Sequence, residues 1–426
     1  EASRRTGEAG HRKTHAGISW ADATLVEPRP ERAEAAGFDE ERVWSGGDDW
    51  EPHVAADPVR PYVYQFTTRW IAPNYTVVAR RSTDGGATWD SDTVLFPSGK
   101  PQADPYARVA EDGTVYVVWM EVWDTMLARS DDFGLTWSPP VEVAPGLPFT
   151  DLPSLALSPS GQDVYVALNA SDSWVVASHD FGRSFGPPVQ TSSDNRYYFH
   201  RGGAVAPDGT VYFGATHYAQ SYQGDVVVQV LRPTDGGASR DSIDVDVSKE
   251  LPDCPWSPGC FFGFLGPTAS VAVDASGTAM VIYNAGVEPG APQQIWVRAS
   301  SDGGLSWTPR RLVSRPNRAT NNSFPAVAVG ATPGDFRIVW QADRRGQTDA
   351  WNASYRSTSH AGETWSGFVR LSDLTAGAPY KHPLGYQFPY GDYLGLAVDG
   401  SGDNHVIWGE GASYNGPGGS WYTRGR

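Results

Sequence analysis

The segment STDGGATW, residues 82–89, decides the fold because the same pattern recurs along the chain. The pattern is Ser-x-Asp-x-Gly-x-Thr-Trp. Its further copies are SDDFGLTW (130–137), SHDFGRSF (178–185), PTDGGASR (233–240), SSDGGLSW (300–307) and TSHAGETW (358–365). Their final positions are 48, 48, 55, 67 and 58 residues apart, a recurrence typical of architectures that repeat one small supersecondary unit.

A second repeated feature lies between these copies, in phase with them. It consists of an apolar strand, a turn that usually contains glycine, and a second apolar strand. Its seven occurrences lie at 51–66, 104–119, 153–168, 202–215, 267–283, 324–340 and 392–408. Alternating apolar residues on both sides of a turn predict antiparallel hairpins. With a third and a fourth strand per repeat, this predicts an all-β, seven-bladed β-propeller with four-stranded blades.

The last blade lacks sequence for its outermost strand, because the chain ends at SWYTRGR (420–426). The segment KTHAGISW (13–20) aligns position for position with TSHAGETW (358–365), and ADATLVEP (21–28) is similar to the other outer strands. We therefore expect the N-terminal strand, within residues 13–28, to complete the C-terminal blade and to close the ring without an open edge. Residues 1–12 would be a tail, and residues 13–426 a single propeller domain.

The repeated segments resemble the Asp box, or bacterial neuraminidase repeat, and the whole chain resembles the sialidase-like β-propeller superfamily. In that superfamily the box is a structural turn, which implies a structural role for Asp84, Asp132, Asp180, Asp235 and Asp302. True sialidases are six-bladed and carry Phe/Tyr-Arg-Ile-Pro before the first box. Here that region reads DPVRPYVYQF (57–66), so the chain is not a close match to them. The superfamily includes hydrolases, lyases and binding propellers, and the fold does not choose among them.

Charge and cysteine content restrict the cellular setting. The net charge of −16 opposes binding to nucleic acid and to anionic membranes, and no apolar run is long enough to span a bilayer. Cys254 and Cys260 are the two cysteines of the chain. A disulfide between them would contribute about 2 kcal/mol by pinning a short loop, and a zinc pair is the alternative. The disulfide favours a secreted protein, which we expect to be a monomer that binds carbohydrate.

The leading functional hypothesis is a glycoside hydrolase that acts on an exposed or acidic glycan. Hydrolysis needs two carboxyl groups, about 5 Å apart for retention or about 6.5–9.5 Å for inversion. The loops at the start of the inner strands and the end of the second strands supply Glu121, Asp104, Glu410 and Asp151. Glu121 lies between Trp119 and Trp123, an apolar setting expected to raise its pKa for the role of the acid.

The second hypothesis is a polysaccharide lyase that acts on a uronate-containing glycan. His200 and Arg201 begin the inner strand of blade four, and His217 and Tyr218 end its second strand, so the four should be neighbours. Arginine would neutralise the uronate carboxylate while histidine or tyrosine removes the α-proton. These residue types are similar to those of some propeller-fold ulvan lyases. A third hypothesis is a propeller that binds sugar or protein without catalysis.

The proposed substrate-binding residues are Arg108, Arg201, Arg344, Trp123 and Tyr390. In our sequence alignment, the positions that correspond to Arg108 hold small or modest residues: Val54, Ser154, Ala204, Ser270, Ala326 and Gly395. Such a local break in a repeat tends to mark function. The alternative is that Arg108 fills the channel and pairs with Asp104 or another carboxylate. We predict no cofactor and no metal ligand, and leave open a structural calcium ion in the channel.

Overall fold

The structure, a computed structural model, describes residues 37–44, 49–219, 224–237, 241–250, 267–315, 321–344, 347–372, 394–411 and 418–426. Their strands form seven separate antiparallel sheets of four strands each. No helix occurs among these residues. The prediction of an all-β, seven-bladed propeller with four-stranded blades is therefore confirmed.

The first three blades follow one another in sequence, each written from its inner to its outer strand. Blade one consists of β2 (Asp49–Ala56), β3 (Val63–Ile71), β4 (Asn74–Ser82) and β5 (Thr93–Val94). Blade two consists of β6 (Gln102–Val109), β7 (Val115–Glu121), β8 (Asp124–Ser130) and β9 (Val141–Glu142). Blade three consists of β10 (Asp151–Leu157), β11 (Val164–Asn169), β12 (Ser173–Ser178) and β13 (Val189–Gln190).

The next three blades repeat this order. Blade four consists of β14 (Tyr197–Val205), β15 (Val211–Tyr218), β16 (Val226–Leu231) and β17 (Ser242–Ser248). Blade five consists of β18 (Ala269–Val273), β19 (Ala279–Ala285), β20 (Gln294–Ser300) and β21 (Arg311–Leu312). Blade six consists of β22 (Asn322–Val329), β23 (Phe336–Arg344), β24 (Gln347–Thr358) and β25 (Val369–Arg370).

Blade seven is built from both ends of the sequence. Its strands are β26 (Leu394–Val398), β27 (Asn404–Gly411), β28 (Gly418–Gly425) and, on the outer edge, β1 (Arg42–Val43). An N-terminal strand thus completes the last blade, as expected, and it lies at Arg42–Val43. Residues 1–28 lie outside the described residues, so the tail at 1–12 and the role of 13–28 stay predictions.

The blades surround a central axis and pack face to face. Each inner strand contacts the inner strand of the next blade, and β26 contacts β2 to complete the ring. The hydrophobic cores lie between neighbouring sheets; between blades two and three, for example, Tyr116 and Val118 pack with Leu155 and Val166, all fully buried. Burial of each aliphatic side chain stabilises the fold by about 1.5–3 kcal/mol.

The Asp-containing turns join the third and fourth strands of their blades. Asp84 accepts hydrogen bonds from the Ser82 hydroxyl at 2.8 Å, the Thr88 amide at 2.9 Å and the Thr88 hydroxyl at 2.6 Å. The same arrangement surrounds Asp132, Asp180 and Asp302. Hydrogen bonds from the Thr or Ser four residues later lower the pKa of these four carboxyls to about 2. They are consistent with a structural role on the outside of the ring.

Candidate functional site

The mouth of the central channel is shaped by a repeated kink in the inner strands. In blades one, two, three, four and six the ladder between the first and second strands shifts register. In all of these except blade four a residue with positive φ precedes a proline: Glu51 (φ 56°), Asp104 (φ 55°), Leu152 (φ 50°) and Phe324 (φ 55°). A bulge of this kind re-aims side chains, and left-handed backbone at such residues is strained by about 1–3 kcal/mol. The sequence signal is the residue-proline pair, as in EPH (51–53) and DPY (104–106).

Two of these strained residues, Glu51 and Asp104, are in contact across blades one and two. The buried Glu51 carboxylate accepts the Asp104 amide at 3.0 Å and the Thr68 hydroxyl at 2.8 Å. Glu51 therefore links blade one to blade two and lies beside Asp104, which is 8% exposed. Sequence analysis proposed Asp104 but missed Glu51, although both precede a proline at equivalent places in the repeat.

Glu121, the last residue of β7, is held by neighbouring side chains. Its Oε1 lies 3.2 Å from Lys100 Nζ, and its Oε2 accepts from Gln102 Nε2 at 3.1 Å. Burial raises the pKa of Glu121, but hydrogen bonds from Ser98, Gln102 and Lys100 outweigh burial and lower the pKa below its usual value. The expectation of a raised pKa is therefore wrong, because the indoles nearby in sequence are accompanied by polar partners that sequence analysis did not consider.

The paired strands β14 and β15 place Tyr198 opposite His217, because β14 begins at Tyr197, and the candidates His200 and Arg201 pair with Ala215 and Gly214 instead. Tyr198 pairs with His217, and their rings stack at 5.0 Å between centroids. The Tyr198 hydroxyl donates to Asp194 Oδ1 at 3.1 Å. Asp194 Oδ2 lies 3.9 Å from His217 Nδ1 and 3.4 Å from Arg196 Nε. Burial lowers the pKa of His217, against an opposing effect of the Asp194 charge, so the ring is neutral at pH 7.

His200 and Tyr218 lie deeper in the same blade. His200 is 1% exposed, its Nε2 lies 2.8 Å from the Ser173 hydroxyl, and burial lowers its pKa to about 3. Tyr218 is likewise 1% exposed and donates to the Pro267 carbonyl at 2.7 Å. Both side chains join blade four to a neighbouring blade in this structure, while a catalytic role for either stays a prediction.

A tyrosine–carboxylate pair at the same rim was not found from the sequence. The Tyr197 hydroxyl donates to Asp151 Oδ2 at 2.5 Å and so connects the first residues of β14 and β10. Tyr197 packs against Phe199 at 4.9 Å between ring centroids. The run YYFH at 197–200 was the available signal, but it does not tell which of its rings faces blade three.

Trp123 and Arg108 have neighbours of different kinds. The ring of Trp123 lies edge-on to Phe149 at 5.8 Å between centroids. Arg108 donates to the Tyr106 hydroxyl at 2.6 Å and lies over that ring. Arg108 forms no ion pair with any carboxylate in the described parts of the chain, so the alternative, a pairing with Asp104 or another carboxylate, is absent there.

Several proposed residues fall where the structure gives no side-chain information. Tyr390, Cys254 and Cys260 lie outside the described residues. Arg344 ends β23 and Glu410 lies in β27, and their side chains are not described. Within the described ranges no three His, Cys, Asp or Glu side chains are placed to hold a metal ion. The same ranges contain no helix long and apolar enough to cross a membrane.

The comparisons with known proteins give structural similarity only. The sequence matches no family model and no curated protein. A polysaccharide lyase of a new family, an ulvan lyase bound to -[GlcA(1-4)Rha3S]-, is 12% identical with a TM-score of 0.54, over 90% of this chain and 94% of that one. A Hadza microbial sialidase is 16% identical with a TM-score of 0.48, over 89% of this chain and 65% of that one.

A third similar structure is the Penicillium chrysogenum α-L-arabinanase complexed with arabinobiose. It is 14% identical with a TM-score of 0.44, over 79% of this chain and 98% of that one. The chain thus spans less than two thirds of the sialidase and nearly all of the lyase and the arabinanase. At these identities only the fold is shown, and the lyase carries that comparison. The comparison therefore shows a fold shared with the lyase, and no close match to a sialidase.

Proposed function

We propose that this protein is a carbohydrate-active enzyme that cleaves an acidic, uronate-containing polysaccharide by β-elimination. The observation that carries the proposal is the neutral His217, stacked on Tyr198 beside Arg196. This arrangement is favoured over the hydrolase arrangement expected from the sequence because Glu121 is an ion-paired carboxylate with a lowered pKa. A general acid needs the opposite shift.

The chemistry of elimination assigns a role to each side chain. His217 accepts the proton from C5 of the uronate, because a neutral imidazole has a free ring nitrogen. Arg196, whose side chain is 37% exposed, binds the uronate carboxylate and stabilises the charge that develops there. The C4–O4 bond then breaks, the C4=C5 double bond forms, and the leaving oxygen takes a proton. Solvent water supplies that proton, because the Tyr197 hydroxyl already donates to Asp151.

The similarity to the ulvan lyase supports this reaction class. That lyase was solved with a glucuronate-containing ligand, and its chain aligns over 94% of its length with this one. Its activity enters here as part of the proposal, since the identity is 12% and one fold hosts many reactions. Carbohydrate is the proposed partner, and we propose a secreted, monomeric protein.

A glycoside hydrolase is the second candidate, because the Glu51 carboxylate accepts the Asp104 amide, which places two residues that carry carboxyl groups next to each other at the mouth of the channel. Two neighbouring carboxyl groups are the machinery that glycoside hydrolysis requires. Replacement of Glu51 by Gln and of Asp104 by Asn would abolish activity under this reading. Under the lyase reading, the same two changes would alter the channel mouth without removing the base.

A panel of acidic and neutral polysaccharides tests the two reactions. Elimination yields an unsaturated uronate that absorbs in the ultraviolet, whereas hydrolysis adds reducing ends without that absorbance. We expect uronate polymers to give both signals with the wild-type chain, and His217→Ala to give neither. His179→Ala is the matched control, because His179 is an exposed histidine paired with Asp163 on a peripheral turn. Reducing ends without absorbance would overturn the lyase proposal in favour of the hydrolase, and turnover of no polymer would overturn both.

A further inference from the structure

The interior of the ring contains a group of basic and aromatic side chains that the proposed reaction does not use. Arg108 of β6 lies over Tyr106, with its guanidinium carbon 4.8 Å from the ring centroid. The ring of His53, in β2, packs against the same Tyr106 ring, with 4.1 Å between the two centroids. Blades one and two therefore bring His53, Tyr106 and Arg108 together beside the axis.

The register of the inner strands makes Arg108 exceptional. Arg108 is the penultimate residue of β6. The penultimate residues of the other six inner strands are all alanine: Ala55, Ala156, Ala204, Ala272, Ala328 and Ala397. The equivalent positions inferred from sequence alone differ from these in five blades, and the strand register replaces them. At this level of the inner strands Arg108 is therefore a single guanidinium among six one-carbon side chains.

The electrostatics of the group favour an anion. Arg108 gives hydrogen bonds to the Tyr106 hydroxyl at 2.6 Å and the Ala107 carbonyl at 3.5 Å, and it has no ion pair within the described ranges. A guanidinium has five N–H donors, so donors are left for a ligand. The charge of Arg201, in blade four, also acts on His53 in blade one. Because these two blades are not adjacent, that influence crosses the channel, and both arginines contribute positive potential inside it.

His53 is neutral and adds no third positive charge. Burial, followed by the charge of Arg108, lowers its pKa to about 3. Its Nε2 lies 3.0 Å from the Ala107 carbonyl oxygen. A carbonyl only accepts, so Nε2 carries the proton and Nδ1 does not. His53 thus contributes an uncharged ring to this group of side chains.

We propose that the central channel holds one small inorganic oxyanion, of the sulfate or phosphate class, bound by the Arg108 guanidinium with Arg201 contributing across the channel. Guanidinium groups bind such anions through paired charge-assisted hydrogen bonds. The net charge of −16 repels anions at long range, so binding requires a local concentration of arginine. The site lies toward the end of β6 opposite its start at the channel mouth, so it is separate from the rim residues of the proposed reaction.

Isothermal titration of sulfate, and separately of phosphate, into the full chain at low ionic strength tests this site. We expect the wild-type chain to bind one equivalent, and Arg108→Ala to weaken binding by about tenfold or more. Arg108→Ala should fold, because alanine occupies this position in every other blade, and its far-ultraviolet circular dichroism and melting midpoint verify that. Arg183→Ala is the matched control, since Arg183 lies over Phe181 on a peripheral turn.

Two results would overturn the site: no binding by the wild-type chain, or unchanged binding by a folded Arg108→Ala variant. An equal loss in Arg183→Ala would also overturn it, because it would indicate a diffuse surface effect. No sugar is present in this titration. The His217→Ala variant should therefore keep its sulfate binding, which makes failure of the anion site distinguishable from failure of the proposed lyase activity.

Discussion

The hydroxyl of Tyr422, in strand β28 of blade seven, lies directly against Gly86 of the first Asp-containing turn. A Cβ added at Gly86 would overlap the Tyr422 hydroxyl oxygen. Tyr422 is buried, its hydroxyl lies 2.8 Å from His405 Nδ1, and Trp89 meets it edge-on at 5.2 Å between centroids. Since blade seven is built from both ends of the sequence, this contact is part of the seam that closes the ring.

We expect Gly86→Ala to destabilise the protein by about 3 kcal/mol, from backbone strain and from the collision with Tyr422. Gly99→Ala is the control, because Gly99 also has a positive φ of 74° but a Cβ there meets nothing within 4 Å. The control should lose only about 1 kcal/mol. Denaturant unfolding of both variants measures the difference, and equal losses would show that the seam tolerates a methyl group.

Val122→Gly should stabilise the protein. Val122 is 40% exposed and has a φ of 61°, a conformation that is strained for a β-branched residue. Glycine relieves that strain, although it increases the entropy of the unfolded chain, so we expect a net gain of up to about 1 kcal/mol. Val94→Gly is the control at an equally exposed valine within strand β5, and it should destabilise. A lower melting midpoint for Val122→Gly would contradict the argument.

The turn carboxylates predict how stability depends on acid. The folded-state pKa of Asp132 is lowered to about 2, chiefly by the Thr136 hydroxyl. Its contribution is therefore present above the unfolded value, about 3.9, and is lost as pH falls from about 4 to 2. Asp132→Asn should be less stable than wild type at pH 7, and the difference should shrink at pH 2. Asp131→Asn, a change of the exposed neighbour, should show no such convergence in denaturant midpoints.

The proposed base predicts the acid limb of the pH–rate profile. Burial lowers the pKa of His217, so the ring stays neutral below the ordinary histidine value of about 6.5. Activity on uronate polymer should therefore persist below pH 6.5 and fall only at lower pH. Asp194→Asn removes a charge that raises this pKa, and should move the limb to still lower pH. An acid limb above pH 6.5, or one that Asp194→Asn leaves in place, would exclude His217 as the titrating base.

The sequence was sufficient to predict the ring because its signals are local and repeated. Alternating apolar residues on both sides of a glycine-containing turn favour a hairpin. An Asp-containing turn, stabilised by its own side-chain hydrogen bonds, then joins the third and fourth strands of the blade. The sequence predicted that an N-terminal strand, within residues 13–28, completes the last blade, but the described closing strand is Arg42–Val43. A two-residue strand with no apolar alternation carries too little pattern to be found in advance.

The site was less predictable because it depends on small shifts between strands. Each bulge at residues such as Glu51 and Asp104 moves the register, and a shift of one residue sends a side chain to the other face. The pKa direction of Glu121 failed for a related reason. Its polar partner Lys100 comes from the segment before β6, and a sequence window around Trp119 and Trp123 does not show it.

The composite seventh blade has a consequence for synthesis. Asp39 and Arg424, joined at 2.8 Å, are 385 residues apart in the sequence. A ribosome therefore releases the strands of six complete blades before the partner of β1 exists, and long-range pairing of this kind is slow. Until translation reaches β28, the nascent chain has an open sheet edge on which another chain can pair. The closing step, more than the formation of any single blade, sets how long each newly made molecule needs protection from aggregation.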